Sequence, residues 1–67
     1  MRITLNNNIE SFIEDTLTIN EVLVRKNFTF KMLVIKLNGA LVKKTDYNVT
    51  NVQDGDELSI LHLISGG

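Results

Sequence analysis

The segment Leu17-Thr18-Ile19-Asn20-Glu21-Val22 constrains this chain more than any other, because it encodes a helix start in two ways. Thr18 as N-cap and Glu21 at the third helical position make a capping box, in which each side chain satisfies a main-chain amide that the helix itself leaves open. Leu17, just before the cap, is placed to pack on Val22 as a hydrophobic staple. Ile19, Val22 and Leu23 then share one helical face. Arg25 and Lys26 suit the negative end of the helix dipole, so the helix is expected to end at Lys26 or Asn27. A helix this short does not hold in water by itself. The rest of the chain must supply a surface for it.

That surface reads as a sheet. Arg2-Ile3-Thr4-Leu5 alternates polar and apolar, which turns Ile3 and Leu5 toward a core. Asn6-Asn7-Asn8 is a turn, since asparagine tolerates left-handed backbone. A second strand begins at Ile9, runs to Phe12 and can continue to Glu14. Phe28 to Lys31 is connection, with Phe28 or Phe30 available to tuck under the helix. Met32 to Leu37 is a strand with Leu33, Ile35 and Leu37 inward; Lys36 marks the solvent face and leaves Val34 partly exposed. Asn38-Gly39 is the strongest short hairpin signal, a type I′ turn, and Ala40-Leu41-Val42 returns from it. Lys43 to Gln53 is a polar excursion pinned by Tyr47, Val49 and Val52. Asp54-Gly55-Asp56 turns the chain into a closing strand, with Leu58 and Ile60 inward. The order β-β-α-β-β-β, with one helix on one face of a four- or five-stranded mixed sheet, is an α+β arrangement.

At 67 residues there is room for one domain. Domains of this size often rely on disulfides or a metal. The chain has no cysteine and one histidine, so its apolar 43% must carry the fold. The net charge of −1 and the scattered Lys and Arg argue against a nucleic-acid partner. No apolar run approaches the length of a membrane span, and no signal peptide is read. A cytoplasmic protein, monomeric alone and without a membrane partner, is the expectation.

The end of the sequence is its most unusual part. Two closing glycines arise by chance in roughly 0.5% of chains at average usage. Glycine adds no packing and costs backbone entropy, but it lets a chain end enter a narrow channel. The Gly67 carboxylate is therefore read as the working group. Five extended residues from Leu63 reach roughly 17 Å, enough to enter another protein's active site. Inside the domain, His62 has no nucleophile or carboxylate placed to form a relay, and Asp54–Glu57 does not match a calcium loop. No phosphate-binding glycine motif occurs. Leu61 and Leu63 fall on the face opposite Leu58 and Ile60. Beside Val34 they would form an exposed apolar patch next to the tail, a candidate docking face. The acidic turn residues Asp54, Asp56 and Glu57 are a secondary candidate for meeting a basic partner.

The whole pattern resembles the ubiquitin-like β-grasp sulfur carriers, specifically the small ThiS type of thiamine biosynthesis. The residues that carry the resemblance are Thr18–Leu23, the strand ending in Asn38-Gly39, and Tyr47…Thr50-x-Val52-x-Asp54-Gly55-Asp56. The Glu57–Ile64 strand and Gly66-Gly67 complete it. Ser65 stands where such tails often carry another glycine. The resemblance implies a β-grasp domain over residues 1–64 and a flexible tail over 65–67. It implies a protein co-substrate rather than an enzyme, with no cofactor of its own. A ThiF-like, E1-type adenylyltransferase would use ATP to adenylate Gly67. Sulfur, ultimately from cysteine through a desulfurase, would convert it to a thiocarboxylate for a ThiG-like thiazole synthase. Ser65 and Gly66 would thread partner active sites. Val34, Leu61 and Leu63 would dock, with Asp54, Asp56 and Glu57 as weaker contacts. The nearest alternative is the MoaD type, the small subunit of molybdopterin synthase, whose chains usually run longer and often carry proline before the tail; this chain is short and has none. A ubiquitin-like conjugation module is the alternative of another class.

Overall fold

The computed structural model describes residues 1–28 and 32–63. Strands β1 (Arg2–Leu5) and β2 (Asn8–Ser11) form the first hairpin, and a short strand β3 (Thr16–Thr18) leads into helix α1 (Ile19–Arg25). Strands β4 (Leu33–Leu37) and β5 (Ala40–Val42) form the second hairpin. A 3₁₀ turn at Lys44–Asp46 then leads to β6 (Asn51–Gln53) and β7 (Glu57–His62). The main sheet has the order β2-β1-β7-β4-β5. It is mixed, because β1 runs parallel to β7 while every other pair in it is antiparallel. The mixed sheet, expected with four or five strands, has five, and one α-helix accompanies it among the described residues.

The helix start is built as its sequence dictates. The Glu21 amide donates to Thr18 Oγ1 at 3.1 Å, and the Thr18 amide donates to Glu21 Oε1 at 2.8 Å. The next open donors are met from a distance: Ile19 N–H reaches the Thr50 carbonyl and Asn20 N–H the Tyr47 carbonyl. At the other end Asn27 takes a positive φ of 59°, while Phe28 N–H donates back to Leu23 O and Asn27 N–H to Val24 O. This paired closure stops the helix and swings Phe28 against the core. Phe30, the other aromatic considered for that place, lies outside the described residues.

Helix residues Ile19, Val22 and Leu23 pack on Ile3, Leu5, Ile35, Leu58 and Ile60, all buried. Leu17, Val52 and Tyr47 complete the core. Strands β3 and β6 form a separate two-stranded sheet in which Leu17 lies opposite Val52. Neither strand follows from local pattern, since each has three residues and a single apolar side chain. Val49, expected to pin the polar excursion, is instead 73% exposed. The chain turns at residues 47–50, so Tyr47 and Val52 reach inward while Val49 points out. Asn8 belongs to β2 rather than the turn, because Asn6 and Asn7 alone, with φ of 49° and 70°, make the two-residue connection.

Candidate functional site

The outer face of the sheet, away from α1, is set by register. In the β4–β7 ladder Val34 lies opposite Leu61 and Lys36 opposite Ser59. Opposed residues share a face, so the proximity expected of Val34 and Leu61 is met. Leu61 is 57% exposed and Leu63 is 41% exposed. The ladder extends one rung further, with Leu63 N–H donating to the Met32 carbonyl at 3.0 Å. Val34 is half-buried between its neighbours.

The register also adds a residue that sequence reading missed. Leu41 lies opposite Lys36 and is 64% exposed. Two adjacent rows, Leu61–Val34 and Ser59–Lys36–Leu41, therefore present apolar side chains around one lysine. The signal was available: Asn38 and Gly39 have φ of 51° and 85°, as a type I′ turn requires, and that turn fixes Leu37 opposite Ala40. Counting back one rung pairs Lys36 with Leu41.

The acidic turn has a different character. Arg2 N–H donates to Asp54 Oδ1 at 2.7 Å. Asp56 accepts from the Gln53 amide at 2.8 Å through one oxygen and from Asn38 Nδ2 at 3.1 Å through the other. Asn38 in turn accepts the Glu57 amide at 2.8 Å. Asp54 and Asp56 thus brace the start of β1, the β4–β5 turn and the entry to β7. Their carboxylates serve the fold first; Glu57 is exposed at the same end.

Strand β7 leaves β1 after two parallel pairs, Thr4–Glu57 and Leu5–Leu58. Asn6 then supplies the next rung with its side chain. Its Nδ2 donates to the Ile60 carbonyl at 3.0 Å, and its Oδ1 accepts the Ile60 amide at 2.7 Å. The amide group imitates a peptide and continues the pairing of β7 beyond its last rung with β1. His62 is exposed at the end of β7. Residues Ile64, Ser65, Gly66 and Gly67 lie outside the described residues. Among those described, no three His, Asp or Glu side chains cluster to hold a metal ion, and no helix is long and apolar enough to cross a membrane.

A family model described as the ThiS family matches residues 3–67. The fold is similar to the crystal structure of a thiamine biosynthesis protein, ThiS, from Geobacter metallireducens, with a TM-score of 0.89, 25% identity and 100% of both chains covered. A solution structure of a thiamine biosynthesis protein from the same organism is also similar, with a TM-score of 0.81 and 25% identity over 100% of this chain and 88% of that one. No curated protein matches.

Proposed function

The chain belongs to the ThiS family, and on that premise we propose that it is a sulfur carrier of thiamine biosynthesis whose Gly67 carboxylate is the carrying group. The observation that supports this most is the extent of the family match, which runs through Gly66 and Gly67. A tail without side chains at its last two positions suits entry into a narrow channel.

The chemistry follows from the weakness of a carboxylate as an electrophile. A partner adenylyltransferase of the ThiF kind lets a Gly67 oxygen attack the α-phosphorus of ATP. Pyrophosphate leaves and an acyl-adenylate forms. A persulfide sulfur, supplied from cysteine through a desulfurase, attacks the acyl carbon and expels AMP. The resulting acyl disulfide is cleaved by a thiol, which takes the other sulfur into a new disulfide and releases the thiocarboxylate. A thiazole synthase of the ThiG kind then receives the sulfur. In these steps the domain binds and presents, while the partners hold ATP and the reacting groups. Val34, Leu61 and Leu63, joined by Leu41, are the proposed docking residues. Asp54, Asp56 and Glu57 are secondary ones, since two of them already brace turns.

Intact-mass spectrometry after incubation with such an adenylyltransferase, ATP and a sulfur source tests the reading. The expected product gains the difference between one sulfur and one oxygen, and deletion of Gly67 abolishes the gain. An unchanged mass with an adenylyltransferase that thiolates another ThiS-family protein in the same assay would sink the proposal.

A further inference from the structure

An apolar concavity lies beside α1 at the β4–β5 margin of the sheet. It is a groove of about 630 Å³. Leu23 and Val24 of α1 line it with Val42, Lys43 and Lys44, and the outer-face residues Val34, Leu41 and Leu63 border it as well. Val24 is aliphatic yet exposed on the helix surface. The ionisable side chains lining the groove, among the described residues, are Lys43, Lys44 and Tyr47, with no carboxylate. The chain as a whole carries a net charge of −1, so this positive rim runs against its overall balance.

The groove also borders an open strand. Among the described residues β5 is the last strand of the sheet. In the two-residue hairpin Leu37 and Ala40 flank the turn as a hydrogen-bonded pair, and an antiparallel ladder alternates its bonded residues. The N–H and C=O of Leu41 therefore face away from β4. An outward amide and carbonyl beside an apolar trough can pair with one more strand.

We propose that this groove binds an extended, acidic and amphipathic peptide segment of a partner protein, laid along β5. Alternate side chains of such a segment point one way, so its apolar residues would enter between α1 and β5. Its carboxylates would meet Lys43 and Lys44. The outward main chain of Leu41 favours a peptide over an acyl chain, which has no groups to pair with it. The groove shares Val34, Leu41 and Leu63 with the proposed docking residues, but the inference concerns peptide binding, which is read directly and needs no sulfur transfer.

The test is an amide-resolved NMR titration of the full chain. One probe is a capped heptapeptide of alternating isoleucine and threonine ending in two glutamates. The control replaces both glutamates with lysine. The acidic peptide is expected to shift Leu23, Val24, Phe28, Leu41, Val42, Lys43 and Lys44, and the control to bind about tenfold more weakly, as two partly exposed charge contacts allow. Lys43→Glu/Lys44→Glu, at exposed positions, should lose the preference, and Val24→Asp should lose binding while the spectrum stays folded. Equal binding of both peptides, shifts confined to Ser59 and Leu61, or no shift at millimolar peptide would overturn the proposal. So would sodium decanoate shifting the same residues while the peptide does not, because the groove would then take an acyl chain.

Discussion

The two faces of strands β4 and β7 are made from similar side chains and meet opposite fates. Ile35, Leu58 and Ile60 point toward α1 and are buried. Val34 and Leu61 point the other way, with Leu41 of β5 on the same side. Alternation assigns the faces, but one helix can cover only one of them. The inner face therefore holds the domain together, and the outer face keeps exposed apolar area, the area proposed above to dock a partner. The same residue type is buried or exposed, and parity along the strand decides which.

The comparison is most exposed to failure at the core. Ile35→Ala should cost about 2–5 kcal/mol, the range for a deep aliphatic truncation. Leu61→Ala should cost under about 0.5 kcal/mol, as for surface positions away from special features. Urea denaturation of both variants checks the pair. Similar losses for the two would mean that the outer face is structural and would break the contrast.

The next effect is functional. Leu61→Asp should leave the urea midpoint nearly unchanged but lower kcat/KM for thiocarboxylate formation by about tenfold or more, as expected of an exposed apolar anchor at a protein interface. Leu41→Asp should act in the same direction and less strongly, being farther from β7. A fall in activity that tracks lost stability would instead place the defect in the fold.

How much of this contrast was readable in the sequence depends on how local each signal is. The helix start and the Asn38-Gly39 turn each lie within six residues, so Thr18, Glu21 and the β4–β5 hairpin were legible. The inward and outward sets of β4 and β7 followed from alternation. The β3–β6 pairing was not legible, because Leu17 and Val52 are each a lone apolar residue and meet only across the fold. Nor was the Asn6 clamp, since a turn asparagine gives no sign that its side chain will complete a distant strand.

That clamp gives the third prediction. Asn6→Gly keeps the positive φ of 49° at little strain but removes both bonds to Ile60. The expected loss is about 1–2 kcal/mol, for two part-buried hydrogen bonds. Hydrogen exchange at the Ile60 amide should accelerate more than at Ile35, because the damage is local to the unsupported end of β7. Thr18→Ala should follow at about 1 kcal/mol, the usual value of a lost cap. Its exchange signature should lie in α1 instead, which separates support of the tail-bearing strand from support of the helix.

The smallest effect is electrostatic and lies outside both faces. Arg25 at the end of α1 bonds both carboxylate oxygens of Glu14, one of them at 3.0 Å. That hydrogen bond from Arg25, first among the causes, holds the Glu14 carboxyl below its ordinary value. The folded state thus keeps Glu14 ionised to lower pH than the unfolded chain does. The pair's contribution is fully present above the usual glutamate pKa of about 4.3 and is lost as pH falls through the depressed folded value. Tyr47 has the opposite sign: burial raises its pKa, so its contribution holds below the ordinary tyrosine value of about 10 and fades as pH climbs through the raised one. Glu14→Gln should therefore lower the urea midpoint slightly near neutrality and not at all in strong acid. The difference should shrink with added salt, because the pair is exposed and screened. A Glu14→Gln difference that persists in strong acid would mean that Glu14 supports α1 by packing and not by its charge.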